Sequence, residues 1–216
     1  MNTLLHIDSS FTPRGSVSRK LTAEFVSAWR AERAGEKVIY RDLDRAPVPA
    51  VDHDLVAATA AAPGALLPDG QKRALALSNH LIDELFEAGA LVLGVPVTAF
   101  SVPATFKAWL DQVARDRVLR GGGALKGRKA LVIATLGDSD PSGKAAARAF
   151  HEGYLRQVLG AFGITDVTWV LVARAPAPEA AALALEEARL ALRATLERWN
   201  ADEEAAAREV PNKAAA

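Results

Sequence analysis

Apolar positions along the chain follow two alternating rhythms. Leu4, Leu5 and Ile7 form a short run that stops at Asp8-Ser9-Ser10, and Pro13 and Gly15 follow as turn residues. From Ser18 the period lengthens. Leu21, Phe25 and Trp29 recur four apart, with Arg19, Lys20, Glu24 and Arg30 largely off that stripe, which predicts an amphipathic helix. Val38 to Tyr40 predicts a brief strand, and helical spacing returns at Leu75, Leu81, Ile82, Leu85 and Phe86, closed by Gly89. Ala90 to Val95 and Ala130 to Thr135 are unbroken apolar runs of strand length, the pattern of strands buried on both faces of a parallel sheet. Phe106, Leu110 and Val113 predict the helix between them. Phe150, Tyr154, Val158 and Leu159 predict a helix ending near Gly163, Val167 to Val172 a fifth strand, and Leu183 to Trp199 a closing helix.

Five strands alternating with helices predict one α/β domain over residues 1–199, doubly wound with right-handed crossovers. The Ala/Pro-rich stretches Ala57 to Pro68 and Ala173 to Ala182 read as loops or helix starts within it. Residues 200–216 are rich in Ala and Glu, with Val210 as the larger aliphatic group, and are expected to form a frayed or disordered tail. In such folds ligands sit outside the carboxyl ends of the strands, where the strand order reverses. That rule nominates three loops: Asp8 to Ser18, Pro96 to Phe100, and Thr135 to Ser139.

Composition narrows the function. Half of the 216 residues are hydrophobic, and 26 Lys and Arg balance 26 Asp and Glu. A net charge of zero gives no global pull towards nucleic acid or an anionic membrane. There is no cysteine, hence no disulfide, thiolate nucleophile or Cys-held metal, which suits a reducing cytoplasm. No basic leader precedes the first apolar run and Asp8 interrupts it, so neither a signal peptide nor a membrane span is expected.

The first loop carries Ser9, Ser10, Ser16 and Ser18 around Gly15, ahead of a helix. Hydroxyls beside the free amides of a helix N-terminus make a neutral phosphate cradle. Arg19 and Lys20 stand close enough in sequence to add charge. The same serines also fit plain helix capping and turn formation. Neither GxGxxG nor GxxxxGKS is present, which argues against a dinucleotide fingerprint or an ATP-hydrolysing loop. The second loop, Pro96 to Pro103 with Val97-Thr98-Ala99-Phe100 at its start, offers an apolar surface and backbone groups to a flat ligand, and it fits an ordinary strand-to-helix turn equally well. In the third, Thr135-Leu136-Gly137-Asp138-Ser139, the glycine permits close backbone approach, though an ordinary turn reads the same. His6 falls on a buried strand and reads as structural. His53, His80 and His151 share no metal-ligand spacing, and Asp111 and Asp116 read as surface or capping groups. No side chain is nominated as a catalytic acid or base, which fits chemistry carried by a cofactor.

From Leu4 to Trp199 the chain resembles the FMN-dependent NADH-azoreductases, flavodoxin-like quinone and azo-dye reductases. The resemblance rests on Asp8-Ser9-Ser10 with Ser16-Val17-Ser18, Arg41-Asp42-Leu43, Leu75-Ala76-Leu77-Ser78, Pro103 to Asp111 with Val113-Ala114-Arg115, and Phe162 to Val167. It implies a three-layer sandwich around a five-stranded parallel sheet in the order 2-1-3-4-5. It also implies a homodimer with one FMN per subunit. NADH or NADPH would deliver hydride to the flavin and leave, and a quinone or azo compound would then take the electrons. On the matching positions, Ser10 and Ser16, Val17 and Ser18 would hold the phosphate. Val97, Thr98, Ala99 and Phe100 would lie against the isoalloxazine, and Thr135, Leu136, Gly137 and Asp138 at its pyrimidine side.

Three segments depart from the family. Where it usually reads Met-Tyr-Asn-Phe, this chain has Val97-Thr98-Ala99-Phe100, so a methyl group replaces an amide. Where it reads Ser-Arg-Gly-Gly, this chain has Thr135-Leu136-Gly137-Asp138, and the aromatic loop after the fourth helix is the shorter Val118 to Gly123. The serines favour a working FMN reductase. The departures favour a second class, a flavodoxin-like binding or structural protein that has lost flavin chemistry.

Overall fold

A computed structural model of the chain describes residues 3–12, 14–116, 119, 121, 123–137, 144–175 and 177–209. Five strands, β1 (Thr3–Asp8), β2 (Lys37–Asp42), β3 (Ala90–Gly94), β4 (Lys129–Leu136) and β5 (Asp166–Ala173), form one parallel sheet in the order β2-β1-β3-β4-β5. The helices are α1 (Val17–Glu32), α2 (His53–Ala60), α3 (Asp69–Glu87), α4 (Ala104–Val113), α5 (Lys144–Phe162) and α6 (Pro178–Glu209).

The unbroken apolar runs have a simple cause. Successive side chains of a strand point to opposite faces, and both faces of this sheet are covered. Leu5, Ile7, Leu91, Leu93, Ala130 and Val132 pack under α3, α4 and α5, while Leu4, Ala90, Val92, Leu131 and Ile133 pack under α1 and α6. The result is three layers with two cores, one on each side of the sheet. Trp29 and Trp199 close the second core from α1 and α6, Trp199 meeting Phe25 edge-to-face.

Two elements differ from the sequence expectation. α2, for which the sequence pattern predicts no helix, runs into the start of the Ala57 to Pro68 stretch read as a loop or helix start, and it is capped by Asp52, whose Oδ1 accepts from the Leu55 amide at 2.9 Å. It buries only Leu55 and Ala58, too few to make a visible stripe. The closing helix begins at Pro178 and continues ten residues past Trp199, so residues 200–209 of the expected tail are helical. The cause is polar rather than apolar. Arg33 at the end of α1 donates to Asn200 and, from Nη2, to Glu203 at 3.0 Å, and Lys129 pairs with Asp202. Among the described residues, no helix is long and apolar enough to cross a membrane.

Strand register sets up the site. Asp8, the last residue of β1, stands level with Asp42 on β2 and Gly94 on β3. The loops that follow these strands, together with those after β4 and β5, share one end of the sheet.

Candidate functional site at the carboxyl end of the sheet

The loop after β1 is fastened at both ends. The Ser9 amide and hydroxyl both donate to the Gly94 carbonyl, at 3.0 and 2.8 Å, which ties the loop's start to β3. At its far end Gly15 takes a φ of +82°, a turn conformation that glycine adopts without a Cβ penalty, and delivers the chain to Ser16. Ser16 is the N-cap of α1: its hydroxyl accepts from the Arg19 amide at 3.4 Å and lies 3.1 Å from the Ser18 hydroxyl. Ser10 Oγ accepts from the Thr12 amide at 3.3 Å. Ser10 and Ser16 thus each accept internally, and because the Ser16–Ser18 contact consumes one hydroxyl hydrogen, the three hydroxyls keep two hydrogens to donate outward. The amides of Val17 and Ser18 open the helix and have no intrahelical acceptor.

Those groups border a cleft of about 580 Å³ that draws together three predicted loops. Ser10, Ser16 and Val17 line it from the first, Val97 and Thr98 from the second, and Thr135, Leu136 and Gly137 from the third. Ser18 is buried behind Ser16. Ala99 and Phe100 stand at an exposed turn outside the lining, and Asp138 lies outside the described residues, as do Val118, Arg120 and Gly122 of the glycine loop. The cleft also has a wall that sequence reasoning missed, built from Val172 to Ala175 at the end of β5 and from Ala181 and Leu185 of α6. The signal was available: these residues end a strand beside β4, where the carboxyl-end rule applies equally.

In the second loop the backbone is already engaged. The Val97 amide donates to the Thr135 carbonyl at 2.8 Å, stitching the second loop to the third. Thr98 and Ser101 bond each other, so among the described residues only the turn-tip amides of Ala99 and Phe100 lack a backbone acceptor in this stretch.

A second cavity, of about 700 Å³, lies between α1 and the edge strand β2. It is larger, but the two carboxylates at its centre, Asp8 and Asp42, are held from within. Thr22 Oγ1 donates to Asp8 Oδ1 at 2.9 Å, and Tyr40 OH to Asp8 Oδ2 at 3.1 Å. His6 Nε2 lies 3.3 Å from the same carboxylate, and its ring packs 4.7 Å from that of Tyr40. Burial first, then the Asp8 and Asp42 carboxylates, push the Tyr40 hydroxyl up to about 12. Arg19 donates from both Nη atoms to Asp42 at 2.7 Å, and this pairing is the main cause that pulls the Asp42 carboxyl down to about 2. The first cleft joins the open N-terminus of α1 to the loops at the carboxyl ends of β3, β4 and β5, and it is therefore the candidate binding site.

Other residues singled out in the sequence join elements rather than line the cleft. Arg41 forks onto Glu84 of α3, with contacts of 2.9 and 2.6 Å. Buried Ser78 donates to the Gln112 carbonyl at 2.8 Å and accepts from Arg115, which locks α3 to α4.

Sheet order and cleft position together define a flavodoxin-like protein, and residues 2–196 match the family described as flavodoxin-like fold. The FMN-dependent NADH:quinone oxidoreductase 1 of Trichormus variabilis is 44% identical over 205 residues, covering 91% of this chain and 96% of that protein. Its counterpart in Nostoc punctiforme is 38% identical over 206 residues, covering 92% and 100%. The chain belongs to this family of flavodoxin-like FMN-dependent NADH:quinone oxidoreductases. Among solved structures, an azoreductase from Bacillus anthracis str. Sterne shares the fold with a TM-score of 0.77 at 21% identity, covering 91% of this chain and 100% of that one. An FMN-dependent NADH-azoreductase from Bacillus anthracis str. Ames Ancestor, in complex with FMN, superposes with a TM-score of 0.76 at 22% identity and the same coverage.

Proposed function

We propose that the chain is an FMN-dependent oxidoreductase that passes electrons from NADH or NADPH to quinones and azo compounds. The observation that carries this reading is the donor set after β1. FMN ends in a phosphate, and Ser10, Ser16 and Ser18 with the amides of Val17 and Ser18 offer hydroxyl and N–H hydrogens at the positive end of a helix. The set is chemically matched to a phosphate without a salt bridge, and the cleft of about 580 Å³ has the size of a cofactor site.

When bound, FMN would supply the redox chemistry, accepting hydride from the nicotinamide and releasing the electrons to the second substrate. The chain's own part is to bind and orient. Val97 and Thr98 on one side and Thr135 to Gly137 on the other flank the space for a planar ring, and the Val97–Thr135 bond keeps those two loops at a fixed spacing. The amides of Ala99 and Phe100 are the donors this loop has left for a ring edge.

We also assign the protein to a homodimer and to the cytoplasm. Phe100, Leu66 and Val56 are exposed apolar side chains on segments that follow the carboxyl ends of β2 and β3, the kind of surface a partner subunit covers. Light scattering on the purified protein reads the mass directly, and a monomer at micromolar concentration would end the dimer assignment.

One experiment tests the function. The apoprotein is reconstituted with FMN, then mixed anaerobically with NADH or NADPH and afterwards with a quinone. Bleaching of the flavin band by a nicotinamide and its return with quinone are expected. FMN that binds but is reduced by neither donor would leave a flavodoxin-like binding protein.

A further inference from the structure

We propose that Arg19 is a positioning residue for the cofactor phosphate: it acts through the Ser10 carbonyl and Asp42, and shapes the loop without touching the phosphate. This rests on the reading that the phosphate lies in the Ser10–Ser16–Ser18 cradle.

Arg19 sits three residues after the cap of α1, in the first turn of that helix. A cation there opposes the helix dipole and needs compensation. A phosphate could supply it, but the guanidinium is aimed elsewhere. Nε and Nη2 both donate to the Ser10 carbonyl, at 3.0 and 2.6 Å, and Nη1 and Nη2 fork onto the two oxygens of Asp42. The Arg19 side chain is only 12% exposed and that of Asp42 10%.

Asp42 is itself fixed before it meets Arg19. Its Oδ1 accepts from the amides of Asp44 and Arg45, at 3.1 and 3.2 Å, in the turn that leaves β2. The Leu43 amide donates to the Asp8 carbonyl at 2.8 Å, so this turn is anchored to the end of β1. One rigid path therefore runs from the end of β2 through Asp42 and Arg19 to the peptide between Ser10 and Phe11. Holding that carbonyl turned towards Arg19 fixes the orientation of Ser10, which lines the cleft. It also keeps a carbonyl dipole from pointing at an anion. A guanidinium does this better than an ammonium, because its rigid planar fork meets the carbonyl and both carboxylate oxygens in one fixed geometry while an ammonium is a compact rotatable charge.

The test separates positioning from charge and from general stability. Affinities of the apoprotein for FMN and for riboflavin, which lacks the phosphate, are measured by quenching of flavin fluorescence. Wild type should prefer FMN. Arg19→Ala should weaken FMN by about tenfold or more, the scale of one charge-assisted hydrogen bond. Riboflavin affinity should stay within about twofold. Arg19→Lys should recover only part of the loss. Asp42→Asn keeps Arg19 but loosens its fork, and should also weaken FMN selectively; it serves as the readout if Arg19→Ala does not fold by circular dichroism. Full recovery by Lys, or tighter FMN binding in Asp42→Asn, would mean that Arg19 acts as a bare charge, and the proposal would be wrong. Equal losses for FMN and riboflavin would overturn it too, as a general folding effect. A wild type with no preference for FMN would instead remove the phosphate cradle itself, and the role of Arg19 with it.

Discussion

Thr98 and Ser101 exchange backbone hydrogen bonds of 2.8 and 3.0 Å and close a two-residue turn over Ala99 and Phe100. Both central residues have positive φ, 46° and 71°, the arrangement of a type I′ turn, which favours Asn or Asp followed by Gly. Alanine and phenylalanine are poor choices there, and each such residue stores on the order of 1 kcal/mol or more. Seen from the sequence, the missing amide at position 99 is a lost contact to a flavin. The backbone adds a separate reason for Asn at this place, since its side chain tolerates the left-handed region.

Ala99→Asn should therefore stabilise the protein before any ligand is considered. A gain of about 0.5–1 kcal/mol corresponds to roughly 1–4 °C in thermal midpoint for a chain of this size. The apoprotein should show the rise in a calorimetric scan, and Ala99→Gly should show it as well. A midpoint that falls in both variants would mean that the turn is not strained. With cofactor, Ala99→Asn should also hold FMN and speed NADH-dependent quinone reduction.

The phosphate cradle gives a direct binding prediction. Ser10→Ala and Ser16→Ala each remove a hydroxyl that lines the cleft, so FMN affinity should drop by about one to two orders of magnitude. Ser16→Ala also removes a helix cap worth about 1 kcal/mol, so its midpoint should fall where that of Ser10→Ala does not. Titration of the apoproteins with FMN decides the matter. Unchanged affinity in both would place the phosphate elsewhere.

How far the sequence exposes this arrangement depends on what each residue's role rests on. β1, β3 and β4 are legible because both faces of each are apolar, and a run such as Ala90 to Val95 has no other economical reading. α2 is not, because two buried residues leave no period to detect. The β5–α6 wall of the cleft is hidden for another reason: Ala173, Ala175 and Ala181 carry no chemistry, and only sheet order puts them beside β4. Arg19 is visible as a charge near the phosphate loop, but its direction is not. Strand register brings Asp42, 23 residues on, level with Asp8, and that is what captures the guanidinium.

The end of α6 yields a prediction opposite to that of a dispensable tail. Truncation after Trp199 removes Asn200 and Glu203 from Arg33, whose side chain is only 7% exposed. Arg33 would keep the Trp29 ring, 5.2 Å from its guanidinium, and Glu36 at 3.8 Å. Leaving a buried charged group short of partners costs roughly 1–3 kcal/mol, so the midpoint should fall by several degrees. Arg33→Met in the truncated protein should restore part of it. A truncation that melts like the full chain would show these contacts to be energetically idle.

His151 on α5 makes stability depend on pH. It is buried, packs edge-to-face on Trp169, and burial holds its pKa down to about 4. The unfolded chain, with an ordinary value near 6.5, binds the proton first as pH falls. Stability is therefore intact above about pH 6.5 and drains away between about 6.5 and 4, by up to about 3 kcal/mol. Asp42 loses its contribution only in more acid solution, because its carboxyl titrates near 2 in the fold. Replacing His151 with Leu should flatten the midpoint between pH 6.5 and 4. A wild-type curve that is level across that window would contradict the assignment.

Gly94 is where the sheet leaves room for a carboxylate. A Cβ at this position would stand 2.6 Å from Asp8 Oδ1 and 3.2 Å from Thr22 Cγ2. Asp8 has little freedom to yield, since Thr22 and Tyr40 hold its two oxygens and it is almost wholly buried. Moving it would cost those bonds, and moving β3 would disturb the Gly94 carbonyl that receives both donors of Ser9. Gly94→Ala should accordingly destabilise by about 1–3 kcal/mol, the range of overpacking in a filled interior. It should also loosen FMN, because the cradle starts one residue after Ser9. The cause can be isolated with a double-mutant cycle. Asp8→Ala removes the atoms in conflict, so the penalty of Gly94→Ala in that background should shrink by 1 kcal/mol or more, in the manner of residues that touch. Denaturant melts of the four proteins supply the terms. Strict additivity would mean that Gly94 is required for some reason other than the approach of Asp8.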